Sequence, residues 1–438
     1  MSLQFLNHVI ETKGLLHSIE RSAQVLMRYS FGRSRFAEMM GSLEKDLGAM
    51  GVRVTFCVTA SLLESHQGFL KRFSGKGHEF AAHGYFHTNM KMKTLEEQRD
   101  MVKRSYGAFT RARMRVLGFR CPYLSYNAST LAALAKSPFV WTSNDIILWD
   151  EALENSRRSE GHMRKLEALY NTLSPETSIS LPVRTGPLLE IPITAPDDEM
   201  LFERYRIKDS AAIKRIWTGI FNKVHSRGEL FHLLFHPERF RYFEAPIKET
   251  VAVARAHSPG VWFATLDEIT AWWQERLSCS WKTETVKGGL RFRLKAPSRA
   301  TVLIKSTGKA RQDGLVCGLY GKAEMKSIGG HSYFEGAEAL GHVVHVSKRC
   351  SQGARQFLSD EGFIVSISEV PQKGALFIDG FERFAPRDRR LLLDLVESSE
   401  FPLLRLWRWP DGRQSAFTIS SDVDSINIAD FFKRLINF

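Results

Sequence analysis

The chain has 438 residues, of which 43% are hydrophobic and 11% aromatic, so it can build more than one packed core, and two or three domains are expected. Its formal net charge is +13, but the Lys and Arg residues are scattered and form no long block interleaved with aromatic residues. This distribution argues against nucleic-acid binding. A solvated basic surface is the simplest expectation, and attraction to anionic glycans or to lipid headgroups at a membrane surface is the alternative.

The five cysteines are widely separated and include no Cys-x-x-Cys pair, and Cys57 and Cys121 lie in apolar or motif-like segments typical of buried free thiols. Residues 1–30 show no continuous apolar core, and no segment approaches the ~20 apolar residues of a membrane-spanning helix. These features predict a reducing, cytoplasmic setting without a signal peptide or a transmembrane segment.

Alternating helical and strand-like patterns between residues 35 and 275 predict an α/β domain. The predicted helices share an amphipathic pattern and cover residues 34–50, 61–74, 94–109 and 266–277. The predicted strands are short apolar runs at residues 52–59, 78–82, 118–121, 189–193, 229–235 and 261–265. The segment Thr94-Leu-Glu-Glu97 is a capping box that begins one of these helices.

The pattern changes after Cys279. Period-two alternation at residues 290–295 and a strand at 301–305 predict an antiparallel sheet that extends to about residue 348. Further strands are predicted at 363–367 and 375–378, with a helix that begins at Pro386. The predicted organisation therefore has four parts. The main α/β domain covers residues 1–278 and is followed by a β-rich accessory domain at 279–348. A small α/β segment at 349–409 and a C-terminal strand and helix at 410–438 complete the chain.

Two aromatic pairs accompany these segments. Trp272 and Trp273 lie on a predicted amphipathic helix, and core packing is expected for both. Trp407 and Trp409 lie shortly before the last predicted strand, where burial against the α/β domain and lining of a binding groove are the two alternatives.

Chemistry-bearing residues occur near both ends of the chain. His83 and His87 follow a short apolar strand, and Asp422 and Asp424 follow the strand-like run 415–419. Two neutral imidazoles and one carboxylate form a good face for a divalent metal, and a second carboxylate can act as a base. Asp422 and Asp424 would point to the same face of a strand. The alternatives are structural histidines and a pair of aspartates that cap a following helix.

Four segments carry a family resemblance. They are Val54-Thr-Phe-Cys-Val-Thr, His83-Gly-Tyr-Phe-His87, Gly118-Phe-Arg120-Cys-Pro-Tyr123 and Leu234-Phe-His236-Pro237. In this order they resemble the motifs of the polysaccharide deacetylase (NodB-homology) family over residues 35–275. The resemblance implies an α/β fold, a deformed (β/α) barrel with an inserted β-rich module. It also implies metal-dependent removal of N-acetyl groups from an amino sugar or glycan.

The same resemblance implies the roles of individual residues. His83, His87 and Asp424 resemble the metal ligands, Asp422 the general base that activates water, and His236 the general acid. The expected cofactor is one divalent metal ion, with zinc first and other transition metals as alternatives. The expected partner is an N-acetylated sugar or glycan.

Three further residues complete the implied site. Arg120 resembles the arginine that pairs with a carboxylate and orients the site. The backbone N–H of Tyr123 is expected to help stabilise an oxyanion. Asp198 is chosen over Asp197 and Asp145 as the carboxylate partner of Arg120 or His236.

The chain departs from the family pattern at one point. Relatives begin with a strand that carries paired aspartates, whereas residues 25–32 here contain no carboxylate. We therefore expect a circularly permuted barrel in which the strand at 415–424 lies parallel beside the strand at 52–59 or beside the last barrel strand. The alternative is a truncated second domain beside an inactive barrel. Two other functions stay open, namely a non-catalytic glycan-binding or scaffold protein, and an amidase acting on another C–N bond.

Overall fold

The computed structural model describes residues 34–149, 172–287, 289–305, 320–322, 326–328, 331–338 and 342–436. The α-helices of these residues are α1 Ser34–Ala49, α2 Ala60–Ser74, α3 Leu95–Arg111, α4 Ala128–Leu134, α5 Ser210–Ser226, α6 Phe240–Ala256, α7 Leu266–Leu277, α8 Gln352–Asp360, α9 Arg389–Glu397 and α10 Ile428–Ile436. No helix in these ranges is long and apolar enough to cross a membrane.

The strands of the first half are β1 Val54–Val58, β2 Glu79–Ala82, β3 Gly118–Phe119, β4 Trp141–Thr142, β5 Ile146–Leu148, β6 Thr172–Leu173, β7 Val183–Thr185, β8 Leu188–Glu190, β9 Ile193–Ala195, β10 Leu230–Phe235 and β11 Val261–Phe263. Those of the second half are β12 Trp281–Val286, β13 Gly289–Pro297, β14 Val302–Lys305, β15 Gly321–Lys322, β16 Lys326–Ile328, β17 His331–Glu338, β18 Val344–Ser347, β19 Val365–Ser368, β20 Leu376–Ile378, β21 Leu403–Leu406 and β22 Ser415–Val423.

The principal sheet has the order β10-β22-β1-β2-β3-β4-β8-β7 among the described strands, and β11 also pairs with β22. Its pairings are parallel except for the antiparallel β7–β8 hairpin. The fold is therefore mixed α/β with a curled sheet of mainly parallel strands, the deformed barrel that the family resemblance implied.

β22, the last strand described, lies inside this sheet, between β10 and β1. β22 is parallel to β1 on one side, with Cys57 opposite Asp422, and to β10 on the other, with Leu230 opposite Ala416. All nine of its residues are buried. Phe417, Ile419 and Val423 alternate into the large apolar core beneath the helices. Thr418, Ser420 and Asp422 therefore lie on the opposite face, because side chains alternate along a strand.

The predicted capping box is present at the start of α3. The backbone N–H of Glu97 donates to Oγ1 of Thr94 at 3.3 Å, and the backbone N–H of Thr94 donates to Oε2 of Glu97 at 2.7 Å. These reciprocal bonds satisfy two backbone donors that a helix start leaves without intrahelical partners.

The expected antiparallel sheet from residue 279 to about 348 is wrong in its second part. β12, β13, β17 and β16 do form an antiparallel sheet, and β14 pairs antiparallel with β15 and β21. β18, however, is parallel to both β19 and β20. α8 connects β18 to β19 and was not predicted from the sequence, and parallel neighbours require a crossover connection of this kind.

The aromatic pairs are all buried. Trp272 and Trp273 are 4% and 3% exposed, and Trp407 and Trp409 are 0% exposed, so none of them lines a surface groove. The rings of Trp273 and Trp409 are 5.4 Å apart, and Nε1 of Trp409 donates to the carbonyl of Gly228 at 2.8 Å. The second half of the chain therefore shares one core with an end of the barrel.

A buried ion cluster lies within this shared core. Glu361 accepts hydrogen bonds from Arg405 and from Arg408, whose Nη2 is 2.6 Å from Oε2 of Glu361. Burial by itself raises the pKa of Glu361, but the charges of Arg408, Arg405 and Arg276 lower this pKa to about 2. The carboxylate therefore remains ionised and compensates several buried cations.

Glu361→Gln is expected to lower the free energy of unfolding by roughly 3–5 kcal/mol, because removing one partner of a buried ion pair leaves uncompensated charge. Since the folded-state pKa of Glu361 is depressed, its contribution is fully present above ~pH 4.3 and is lost as the pH falls towards 2. Urea unfolding at pH 7 and at pH 3 measures both effects. The matched control is Glu369→Gln, since Glu369 forms an exposed pair with Lys348 and its loss should cost under ~1 kcal/mol. Equal stability of the two variants would contradict this role.

Candidate active site

The histidine loop begins where β2 ends. The backbone N–H of His83 donates to the carbonyl of Val58 at 2.9 Å, which continues the ladder with β1. Its ring Nδ1 lies 3.1 Å from the carbonyl oxygen of Arg120. A carbonyl only accepts, so Nδ1 carries the proton and Nε2 of His83 keeps its lone pair. Gly84 turns the chain at φ +74°, where a Cβ would lie 2.9 Å from the carbonyl oxygen of Phe86.

Asp424 joins the two histidines at this loop. Its Oδ1 lies 3.4 Å from Nε2 of His83 and 3.3 Å from Nε2 of His87, and ligand atoms of the three residues all lie within 4.8 Å of one another. Within the described part of the chain Oδ1 has no hydrogen-bond partner, although it is buried. A buried carboxylate oxygen without a partner, facing two imidazole nitrogens, is the donor set that a divalent cation requires. The three residues therefore fit the metal implied by the family.

The ionisation of these groups suits metal binding. Burial raises the pKa of Asp424, but the charge of Arg434 holds this pKa well below its usual range. Burial, followed by the charge of Arg434, holds the pKa of His87 well below its usual range despite the opposing effect of Asp424. His87 is therefore neutral and Asp424 ionised, which are the ligating forms of both side chains.

Arg434 was not identified from the sequence. It lies on α10, and its Nη1 is 2.6 Å from Oδ2 of Asp424, on the side of the carboxylate away from the histidines. No motif marks this arginine, because only the return of α10 over the end of β22 brings it to the site.

Asp422 lies beside the metal-binding face but outside the three-residue group. Its Oδ1 is 2.7 Å from Nη1 of Arg120, and its Oδ2 is 3.8 Å from Nε2 of His83. Arg120 is fully buried. The structure therefore brings together Arg120 and both aspartates from the opposite end of the chain.

His236 is paired with Asp198, the carboxylate chosen from the sequence. Nδ1 of His236 is 2.7 Å from Oδ1 of Asp198, and the backbone N–H of His236 donates to Oδ2 at 2.8 Å. The two rejected candidates make other contacts, since Asp197 accepts from the backbone N–H of Met200 and Asp145 from the hydroxyl of Tyr126.

The pairing with Asp198 sets the protonation state of His236. Burial lowers the pKa of His236, but the charge of Asp198 and its hydrogen bond raise the pKa to about 10. His236 therefore carries a proton at neutral pH, on a side chain that is 15% exposed. After burial and the charge of Arg434, the charge of His236 is one of the smaller causes that lower the pKa of His87.

Tyr123 lies at the same end of the sheet. Its backbone has φ +60°, and its ring centroid is 4.3 Å from that of His87 in an edge-on arrangement. The residue is therefore held beside the metal-binding face by a turn that Pro122 begins. The expected role of its backbone N–H in oxyanion stabilisation stays a prediction.

A curled parallel sheet that gathers two histidines and a carboxylate, with a second carboxylate alongside, defines an α/β protein with a candidate hydrolytic metal site. Residues 38–140 match the polysaccharide deacetylase family model. The family resemblance carried by the motifs is thereby confirmed over this part of the chain.

Several solved structures are also similar to this chain, at low sequence identity and low TM-score. A Mycobacterium smegmatis protein assigned to the polysaccharide deacetylases is 19% identical, with a TM-score of 0.41, over 61% of this chain and 84% of its own. A Pseudomonas aeruginosa PAO1 protein with the same assignment is 16% identical, with a TM-score of 0.42, over 54% and 73%. Puue allantoinase is 16% identical, with a TM-score of 0.41, over 54% and 72%. Among curated proteins no significant match is found.

Proposed function

We propose that this chain is a metal-dependent hydrolase that removes N-acetyl groups from an amino sugar or glycan. The family match over residues 38–140 supports a deacetylase role. The observation that carries the proposal is the convergence of His83 and His87 with Asp424, beside a second carboxylate, from opposite ends of the chain.

In this proposal His83, His87 and Asp424 hold the cation, which when bound supplies polarisation of the acetyl carbonyl and a water of lowered pKa. Asp422 accepts the proton of the attacking water through Oδ2, the oxygen that faces His83. Arg120 donates to Oδ1 of Asp422 at 2.7 Å and so fixes the orientation of the carboxylate.

His236 acts as the general acid. Protonated through its pairing with Asp198, it donates a proton to the sugar nitrogen as the C–N bond breaks. The backbone N–H of Tyr123 is proposed as a donor to the developing oxyanion. The proton transfers balance, because Asp422 takes one proton from the water and His236 gives one to the leaving amine.

We also propose that the barrel is circularly permuted. β22 and the residue after it carry Asp422 and Asp424, the pair that relatives place on their first strand, and β22 lies between β10 and β1 in the sheet. A strand at this position can be supplied from either end of a chain without altering its neighbours.

The test uses the full chain, freed of metal by chelation and reloaded with Zn²⁺ or Co²⁺. Acetate and free amine are measured with N-acetylglucosamine, its oligomers and polymers, and other N-acetylated sugars. Equal release of acetate and amine, abolished by chelation and restored by metal, is the expected result. Metal-loaded protein that hydrolyses only cyclic amides or ureides, or that hydrolyses no amide, would overturn the deacetylase assignment.

His236→Ala is expected to retain the metal and to lose ~10²–10⁴-fold in turnover, the scale associated with a general acid. Metal content and kcat are measured on the same preparation. His331→Ala serves as the control, because His331 is an exposed histidine of β17, far along the chain from the motifs. Unchanged kcat in His236→Ala would assign the proton donor elsewhere.

A further inference from the structure

His232 is a fully buried histidine on β10 that the proposed mechanism does not use. Its backbone N–H donates to Oγ1 of Thr194 at 3.0 Å, and its ring Nδ1 is 3.0 Å from the carbonyl oxygen of Pro192. Because a carbonyl only accepts, Nδ1 carries the proton and Nε2 of His232 bears a lone pair. Nε2 lies 2.8 Å from Oγ of Ser420.

The lone pair of His232 is one of the acceptors around the guanidinium of Arg120. Nε of this arginine donates to the carbonyl of Ser143 at 3.1 Å. Nη1 donates to Oγ of Ser420 at 2.8 Å and to Oδ1 of Asp422 at 2.7 Å. Nη2 donates to Oγ of Ser143 at 2.8 Å and faces Nε2 of His232 at 3.3 Å. Four of the five N–H groups of the guanidinium therefore point to an oxygen acceptor, and the fifth shares the lone pair of His232 with the hydroxyl of Ser420, which fixes the plane of the guanidinium.

The charge state of His232 agrees with this geometry. Burial and the neighbouring charge of Arg120 hold the pKa of His232 well below its usual range, so the ring is neutral. A protonated ring would have only donors, would repel the guanidinium and could accept no hydrogen bond from Ser420.

We propose that His232 is a positioning residue of the reaction, a neutral acceptor that aligns Ser420 and Arg120 and, through them, the carboxylate of Asp422. This inference rests on the proposed function only in taking Asp422 as the base. This chain of hydrogen bonds from His232 ends at Oδ1 of Asp422. Oδ2 of the same carboxylate is the oxygen that faces His83. Loss of the acceptor would free the guanidinium to turn, and the carboxylate would turn with it.

The first test compares His232→Leu with His232→Gln in the metal-loaded full chain. His232→Leu is expected to lower kcat by ~10–100-fold, as for partners that orient reacting groups, with KM and metal content unchanged. His232→Gln is expected to recover most of the lost kcat, because its amide oxygen can accept from Ser420. The matched control is Thr418→Val, a buried position two residues from Ser420 on the same face of β22, whose hydroxyl has no hydrogen-bond partner in the described part of the chain.

Full kcat in His232→Leu, no recovery in His232→Gln, or an equal loss in Thr418→Val would each overturn the proposal. Should His232→Leu fail to fold, Ser420→Ala cuts the same link with little change in volume. A fall in kcat at an unchanged Tm then supports the proposal, and an unchanged kcat overturns it.

A crystal structure of His232→Leu, or of Ser420→Ala, separates this inference from the proposed function. Rotation of Asp422 away from its position against Arg120 is expected whether or not the protein deacetylates sugars. An unmoved carboxylate would overturn the positioning role even in an active deacetylase. A wild-type protein inactive on every N-acetylated sugar would overturn the proposed function alone.

Discussion

A chain that ends at residue 414 is expected to be insoluble or unfolded rather than merely inactive. The truncation removes β22, an interior strand of the principal sheet that pairs with β1, β10 and β11. It also removes Phe417, Ile419 and Val423 from the main core. Burial of each such side chain contributes ~1.5–3 kcal/mol, so their sum alone approaches the ~5–15 kcal/mol that stabilises a typical domain.

The truncation also exposes the edges of β1 and β10, and unpaired strand edges promote aggregation. Solubility after expression, circular dichroism and thermal unfolding measure the outcome. A chain that ends at residue 426 is the matched control, since it keeps β22 but lacks α10 and the contact of Asp430 with His66. The control is expected to fold with a lower Tm. Cooperative unfolding of the chain that ends at residue 414 would refute the structural role of β22.

His83→Ala and His87→Ala are each expected to abolish metal binding and activity together while the fold is retained. Each substitution removes one nitrogen from a three-residue ligand group, and the remaining two ligands hold a divalent cation far less tightly. Both residues are buried, at 1% and 6% exposure, but their rings contact the polar groups of the site, so we expect the fold to be retained with a lower Tm. Metal content after dialysis, acetate release and Tm are measured together.

Tyr85→Phe is the control for these variants, because Tyr85 lies between the two histidines on the same loop and its hydroxyl donates to Glu64 at 2.8 Å. It should retain both metal and activity. Stoichiometric metal in both histidine variants would show that the ligands have been assigned wrongly. Loss of activity with full metal content would give the histidines a role other than ligation.

Much of the site could be predicted from the sequence because its residues occur in short local patterns. His83 and His87 are four residues apart after a strand, and Asp422 and Asp424 are two residues apart at the end of another. Asp198 could be chosen because it follows a strand at the expected point, and the structure places it against His236. Each inference needed only the geometry of a strand or turn.

The remaining parts depend on contacts between residues that are distant in the chain. Arg434 reaches Asp424 through a helix that carries no motif, and His232 meets Ser420 across 188 residues. The parallel pairing of β18 with β19 was also missed, because a short run of apolar residues does not specify the direction of its neighbour.

The sequence by itself determined the kinds of chemical groups, their spacing along each strand and the family they resemble. Only the tertiary structure decided that β22 lies between β10 and β1, and hence that Asp424 faces His83 and His87. The physical reason is that side-chain direction along a strand follows from local backbone geometry, whereas strand order depends on which apolar faces become buried together.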